Sequence, residues 1–101
     1  MQVKTTSGYA EGYWKDGIYH FQGIPYAAAK RFMPPEKYQW EGVYKASRFG
    51  RKAIQSCPPS AENDRLTYSQ EYGESCLSLD IYVPGEAPEK EEKKKLPVAV
   101  Y

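Results

Sequence analysis

Few side chains in this chain of 101 residues are suited to acid–base, nucleophilic or metal chemistry. His20 is the only histidine, and Cys57 and Cys76 are the only cysteines, 19 positions apart. A tetrahedral metal site takes four close-spaced Cys or His ligands, so two cysteines and one distant histidine predict no metal centre. Gly73-Glu74-Ser75-Cys76-Leu77 opens like a G-x-S-x-G nucleophile elbow but closes on leucine. The elbow is a strained strand-to-helix turn whose small residues let the backbone pass closely, and here the next residues open a strand instead.

The elements that must hold these residues are mostly strands. Asp16-Gly17 lies between Tyr13-Trp14-Lys15 and Ile18-Tyr19-His20-Phe21, a strong short-range signal for a two-residue hairpin turn. The pattern predicts strands over 8–15 and 18–22, with 3–6 as a third. Tyr9, Tyr13, Trp14, Tyr19 and Phe21 could form a sugar-stacking platform on this hairpin, but aromatics alternating along paired strands more simply pair with one another. His20 is expected to face solvent there. Between Pro25 and Pro59 five prolines and two glycines break up the chain, which predicts irregular loop. The best helical candidate is short, at 63–70. From Leu77 the chain alternates, with Leu77, Leu79, Ile81 and Val83 on one face of a half-buried strand. A lysine- and glutamate-rich loop follows. Residues 96–101 then read as a strand apolar on both faces, the pattern of a sheet interior covered by helices.

Composition constrains the partners. Lys and Arg number 14 against 13 Asp and Glu, a formal net charge of +1, so charge gives no argument for nucleic acid or an anionic membrane. No apolar run approaches the roughly 18 residues of a membrane span. The chain begins Met1-Gln2-Val3-Lys4 without an apolar leader core, which predicts a cytoplasmic protein. Aromatic residues make up 15% of the chain, ten of them Tyr, while aliphatic side chains crowd into the final quarter. Large half-polar rings with few aliphatics to pack against predict a piece of a larger fold rather than an independent domain.

Five motifs then fall in order. Phe21-Gln22-Gly23-Ile24-Pro25-Tyr26-Ala27 resembles the F-x-G-I-P-Y-A signature of type-B carboxylesterases, the family of the cholinesterases and para-nitrobenzyl esterases. Arg31-Phe32-Met33-Pro34-Pro35 is similar to its R-F-x-x-P. Trp40-Glu41-Gly42-Val43, Ala46 and Phe49-Gly50 are similar to its W-x-G-V-x-x-A-x-x-F-G. The run from Glu74 to Pro84 resembles E-D-C-L-x-L-N-I-Y-x-P, departing at Ser75 and Asp80, and Leu96-Pro97-Val98 matches the opening of the next strand.

The resemblance implies the amino-terminal fragment of an α/β-hydrolase fold: a small antiparallel sheet in 1–27, irregular loops in 28–76 with a cysteine loop at 57–76, and the first central strands in 77–101. It implies a carboxylic ester hydrolase working through a serine acyl-enzyme without a cofactor. In that family the oxyanion loop, the elbow, the acid and the histidine follow this region, and a serine nucleophile needs both a base and oxyanion donors. The chain alone is therefore expected to be inactive, with the remainder of the same hydrolase as its partner and a small-molecule ester as the substrate of the whole. A non-catalytic cholinesterase-like or β-rich interaction module is the alternative. Cys57 and Cys76 match cysteines that form a disulfide in secreted family members; free thiols and a bridge both stay open. Arg31 and Glu74 match a buried structural salt bridge. Leu66, Tyr68 and Tyr72 fall in the loop that walls the active-site entrance, as substrate contacts or as ordinary packing residues. An uncovered strand at 96–101 predicts self-association of the isolated chain.

Overall fold

The computed structural model describes residues 1–54, 72–85 and 95–101. Among the described residues eight strands form in this order: β1 (Gln2–Thr5), β2 (Gly8–Glu11), β3 (Tyr13–Lys15), β4 (Ile18–Pro25), β5 (Ala27–Ala28), β6 (Glu36–Lys37), β7 (Val43–Lys45) and β8 (Ser78–Pro84). They make two three-stranded sheets, β1-β2-β7 and β3-β4-β8, and a two-stranded ribbon, β5-β6.

The Asp16-Gly17 turn joins β3 to β4 with Lys15 opposite Ile18, and both turn residues have positive φ, 52° and 79°. That is the type I′ geometry, whose twist matches the strands it joins. The predicted strand over 8–15 is two strands, because the chain changes sheets at Gly12. A Cβ at Gly12 would lie 2.6 Å from the His20 carbonyl oxygen and 2.7 Å from the Phe21 ring. Only glycine allows β3 to cross so closely over β4.

Register assigns the aromatics to faces. Trp14, Tyr19 and Val83 lie opposite one another on one face of the second sheet, and Tyr13, His20 and Tyr82 on the other. Tyr19 and Phe21 are buried, while Tyr9 belongs to the first sheet. The five hairpin aromatics are thus spread over two sheets and two faces and form no single sugar-stacking platform. His20 is half-buried and not turned fully to solvent. Its ring stacks on Tyr13 at 4.9 Å and meets the edge of Tyr82 at 5.2 Å, and its Nδ1 is buried without a hydrogen-bond partner.

The core gathers Ala10, Tyr19, Phe21, Ile24 and Ala46, with Trp40, Tyr44 and Val83 packed against it. Ala46 fastens the two sheets together: its N–H donates to the Glu11 carbonyl at 2.8 Å, and its carbonyl accepts from the Gln22 N–H at 2.9 Å. It is fully buried, so a larger side chain there would separate the sheets.

The proline-rich stretch holds more order than loop composition predicts. It contains β5, β6 and β7, the last running parallel to β2 with Ala10 opposite Tyr44. Strand β8 forms as the alternation predicts, but Leu79 and Ile81 remain about 40% exposed, because β8 borders β4 along one edge and, of its apolar face, Val83 is the residue packed against the core. Residues 95–101 pair with no described strand, and Val98 and Val100 are 86% and 90% exposed. Apolar patterning alone does not make a strand, which exists only where a neighbour completes its hydrogen-bond ladder. The helix expected at 63–70 lies outside the described residues.

Candidate functional site

Three of the sequence motifs meet at Gly23. Strand β4 carries one extra residue against β8 between Phe21 and Ile24, a bulge opened by the positive φ of Gly23, 69°. The bulged N–H has no ladder partner, and the Asp80 carboxylate accepts it at 2.7 Å. On the other side the Gly23 carbonyl accepts the Tyr44 hydroxyl at 2.9 Å. Burial, and to a lesser degree the neighbouring Tyr38, push the Tyr44 phenol above its ordinary value of 10.

Close approach completes the knot. A Cβ on Gly23 would lie 2.3 Å from the Arg48 carbonyl oxygen, and one on Gly50 would lie 1.9 Å from Ser78 Oγ. The F-x-G-I-P-Y-A glycine, the F-G glycine and the strand entering β8 thus fit together only without side chains at 23 and 50. Beside them opens a cleft of about 350 Å³ walled by Tyr38, Tyr44 and Phe49 and rimmed by Arg51, Ser75 and Ser78. Asp80 stood out in the sequence only as a motif departure, and Tyr44 carried no signal of its own. The bulge gives both of them a role.

On the opposite face of β4, Tyr13 donates to Gln22 Oε1 at 3.0 Å, and Gln22 Nε2 donates to the Tyr82 hydroxyl at 3.4 Å. Gln22 is buried, so this pairing satisfies an amide that would otherwise be costly. The chemistry of the array is structural, since its rings and amide are engaged with one another.

The other expected residues fall as follows. Arg31 and Glu74 form an ion pair, with side chains 68% and 61% exposed in this chain. The segment of 73–77 turns back on itself, Cys76 N–H to the Glu74 carbonyl at 3.0 Å, and runs into strand β8. It has no strand-to-helix turn, and Ser75 is not a nucleophile at an elbow. Tyr72 bridges to Lys52, whose Nζ sits 4.5 Å from the tyrosine ring centroid. Cys76 carries a half-buried thiol. Cys57, Leu66 and Tyr68 lie outside the described residues. Among the described residues no three His, Cys, Asp or Glu side chains gather as a metal site.

The family model for the carboxylesterase family matches residues 1–101, the whole chain. The chain belongs to the carboxylesterase family. It is 37% identical to bile salt-activated lipase of Bos taurus and 31% identical to para-nitrobenzyl esterase of Bacillus subtilis (strain 168). Each match covers 98% of this carboxylesterase chain but only 16% and 20% of those relatives. Among solved structures it resembles an esterase from anaerobic Clostridium hathewayi that can hydrolyse aliphatic aromatic polyesters. That match has a TM-score of 0.66 and 34% identity over 81% of this chain and 17% of that one. The fold is accordingly the amino-terminal portion of an α/β-hydrolase, and the described part of it is strand-rich.

Proposed function

We propose that this carboxylesterase chain is the amino-terminal scaffold of a carboxylic ester hydrolase that works through a serine acyl-enzyme, with nucleophile, base and oxyanion donors supplied by the remainder of the same protein. The observation that carries the reading is the convergence of the family's signature segments on the Gly23 bulge, within a chain matched by the family model along its whole length. The engagement of the chain's one histidine between Tyr13 and Tyr82 supports a scaffold role over a catalytic one. Leu66, Tyr68 and Tyr72 are assigned to the wall of the substrate entrance. The substrate class is a small-molecule carboxylic ester, and the acyl-enzyme route requires no cofactor.

The test is hydrolysis of p-nitrophenyl butyrate. The chain alone gives no turnover above buffer, and mixing it with the carboxy-terminal remainder of the protein restores turnover. Turnover by the chain alone overturns the assignment of the chemistry to the remainder. A reassembled protein that binds but never turns over ester favours the non-catalytic interaction module.

A further inference from the structure

The ribbon β5-β6 ends in a loop whose exposed tip the chain itself does not explain. The Met33 N–H donates to the Lys30 carbonyl at 2.9 Å, closing a turn in which Arg31 and Phe32 are the central residues. Phe32 has a φ of 65°, the left-handed region that the second central position of such a turn normally reserves for glycine. A bulky aromatic in that conformation is an outlier that persists only where its surroundings hold it. Arg31, the residue before it, is held by Glu74, and Pro34-Pro35 restrict the residues after it. The result is a phenyl ring 98% exposed with Met33 beside it 62% exposed.

An exposed ring on a strained backbone gains little from the described residues, so a contact beyond them is what would stabilise it. Aromatic anchors seated in a partner's pocket dominate interface energies. The relatives that match 98% of this chain extend far beyond it, the match being 16–20% of their length, so most of the polypeptide able to meet this tip lies outside the structure.

We propose that Phe32, held out by the Arg31–Glu74 pair, is the anchor by which this segment docks into an apolar pocket on the later part of the same hydrolase. The inference rests on the scaffold reading above. It adds to that reading the residue that makes the docking specific: Phe32 enters the pocket, Met33 covers its rim, and the ion pair fixes the turn without itself being buried.

Phe32→Gly separates the two states of the ring. Glycine suits the turn, and the wild-type ring is almost fully exposed, so the urea midpoint of the 101-residue chain is not lowered. Titrated with the remainder of the hydrolase that follows residue 101, the variant associates at least tenfold more weakly than wild type, and Phe32→Leu recovers part of the loss. Association of Phe32→Gly within twofold of wild type overturns the anchor. So does a Phe32-dependent dimer of the chain in sedimentation, which makes a second copy the occupant, or Phe32-dependent pelleting with phosphatidylcholine vesicles, which makes it a lipid surface. A wild-type chain that does not associate with the remainder at all overturns the scaffold reading itself.

Discussion

Asp80 Oδ1 accepts the backbone N–H of Gly23 at 2.7 Å, at the point where β4 gains a residue over β8. A buried donor left without a partner costs about 1–3 kcal/mol, and a charged acceptor strengthens the bond it makes. Asp80→Ala is therefore expected to destabilise the chain by about 1–3 kcal/mol, read as a drop in urea midpoint at constant slope. Asp80→Asn keeps an oxygen in place and is expected to lose less than half as much. Equal losses from the two variants would show that the acceptor is not what holds the bulge.

The packing at Gly50 makes a second, steric prediction. The Cβ introduced by Gly50→Ala would lie 1.9 Å from Ser78 Oγ and 2.9 Å from its Cβ. Relieving such an overlap requires the strand entering β8 to move, at a cost of about 1–3 kcal/mol. Ser78→Gly removes both atoms, so the double variant Gly50→Ala/Ser78→Gly is expected to recover stability relative to Gly50→Ala alone. Strict additivity of the two substitutions in denaturant would show that they do not meet.

The local elements were legible wherever a short-range rule decided them. Asp16-Gly17 demanded a type I′ turn, and alternation from Leu77 demanded a strand. What the alternation could not reveal was whether anything covers Leu79 and Ile81, because burial is a property of neighbours and not of period. Gly12 misled for a related reason: a glycine inside a strand pattern marks a close crossing only when the other chain is known, here the His20 carbonyl and the Phe21 ring. The motifs announced Gly23 and Gly50 as important without saying why. Tyr44 was invisible because its partner, the Gly23 carbonyl, is 21 residues away and exists as an acceptor only once the bulge has formed. His20 is half-buried on a face that strand alternation alone leaves wet, because Tyr13 and Tyr82 flank its ring.

The Arg31–Glu74 pair makes a prediction about magnitude. With both side chains more than half exposed, the pair is expected to contribute about 0.2–1 kcal/mol to the stability of the chain in a double-mutant cycle of Arg31→Ala and Glu74→Ala. Raising salt from 0.05 to about 1 M shortens the screening length to about 3 Å and is expected to remove most of that coupling. A coupling of several kcal/mol that ignored salt would mean that the pair is buried in solution.

Tyr44 carries the pH dependence. Its phenol is pushed above the ordinary value by burial first and by Tyr38 second, so the folded chain holds this proton more tightly than the unfolded chain does. Below pH 10 the phenol is protonated in both states and its contribution is fully present. Above pH 10 the unfolded chain releases the proton first and binds fewer protons than the folded chain, so stability falls as pH rises toward the folded value. The Gly23 carbonyl reinforces the sign, because it accepts only from a protonated hydroxyl. Tyr44→Phe is expected to cost about 0.5–1.5 kcal/mol at pH 8 through loss of that hydrogen bond. The gap between wild type and variant is then expected to narrow as pH rises above about 10, as the wild type alone loses this contribution. Both proteins carry the other nine tyrosines, so the difference between two unfolding curves isolates Tyr44. A gap that stayed constant across that range would mean that the Tyr44 proton is bound equally in the folded and unfolded chains.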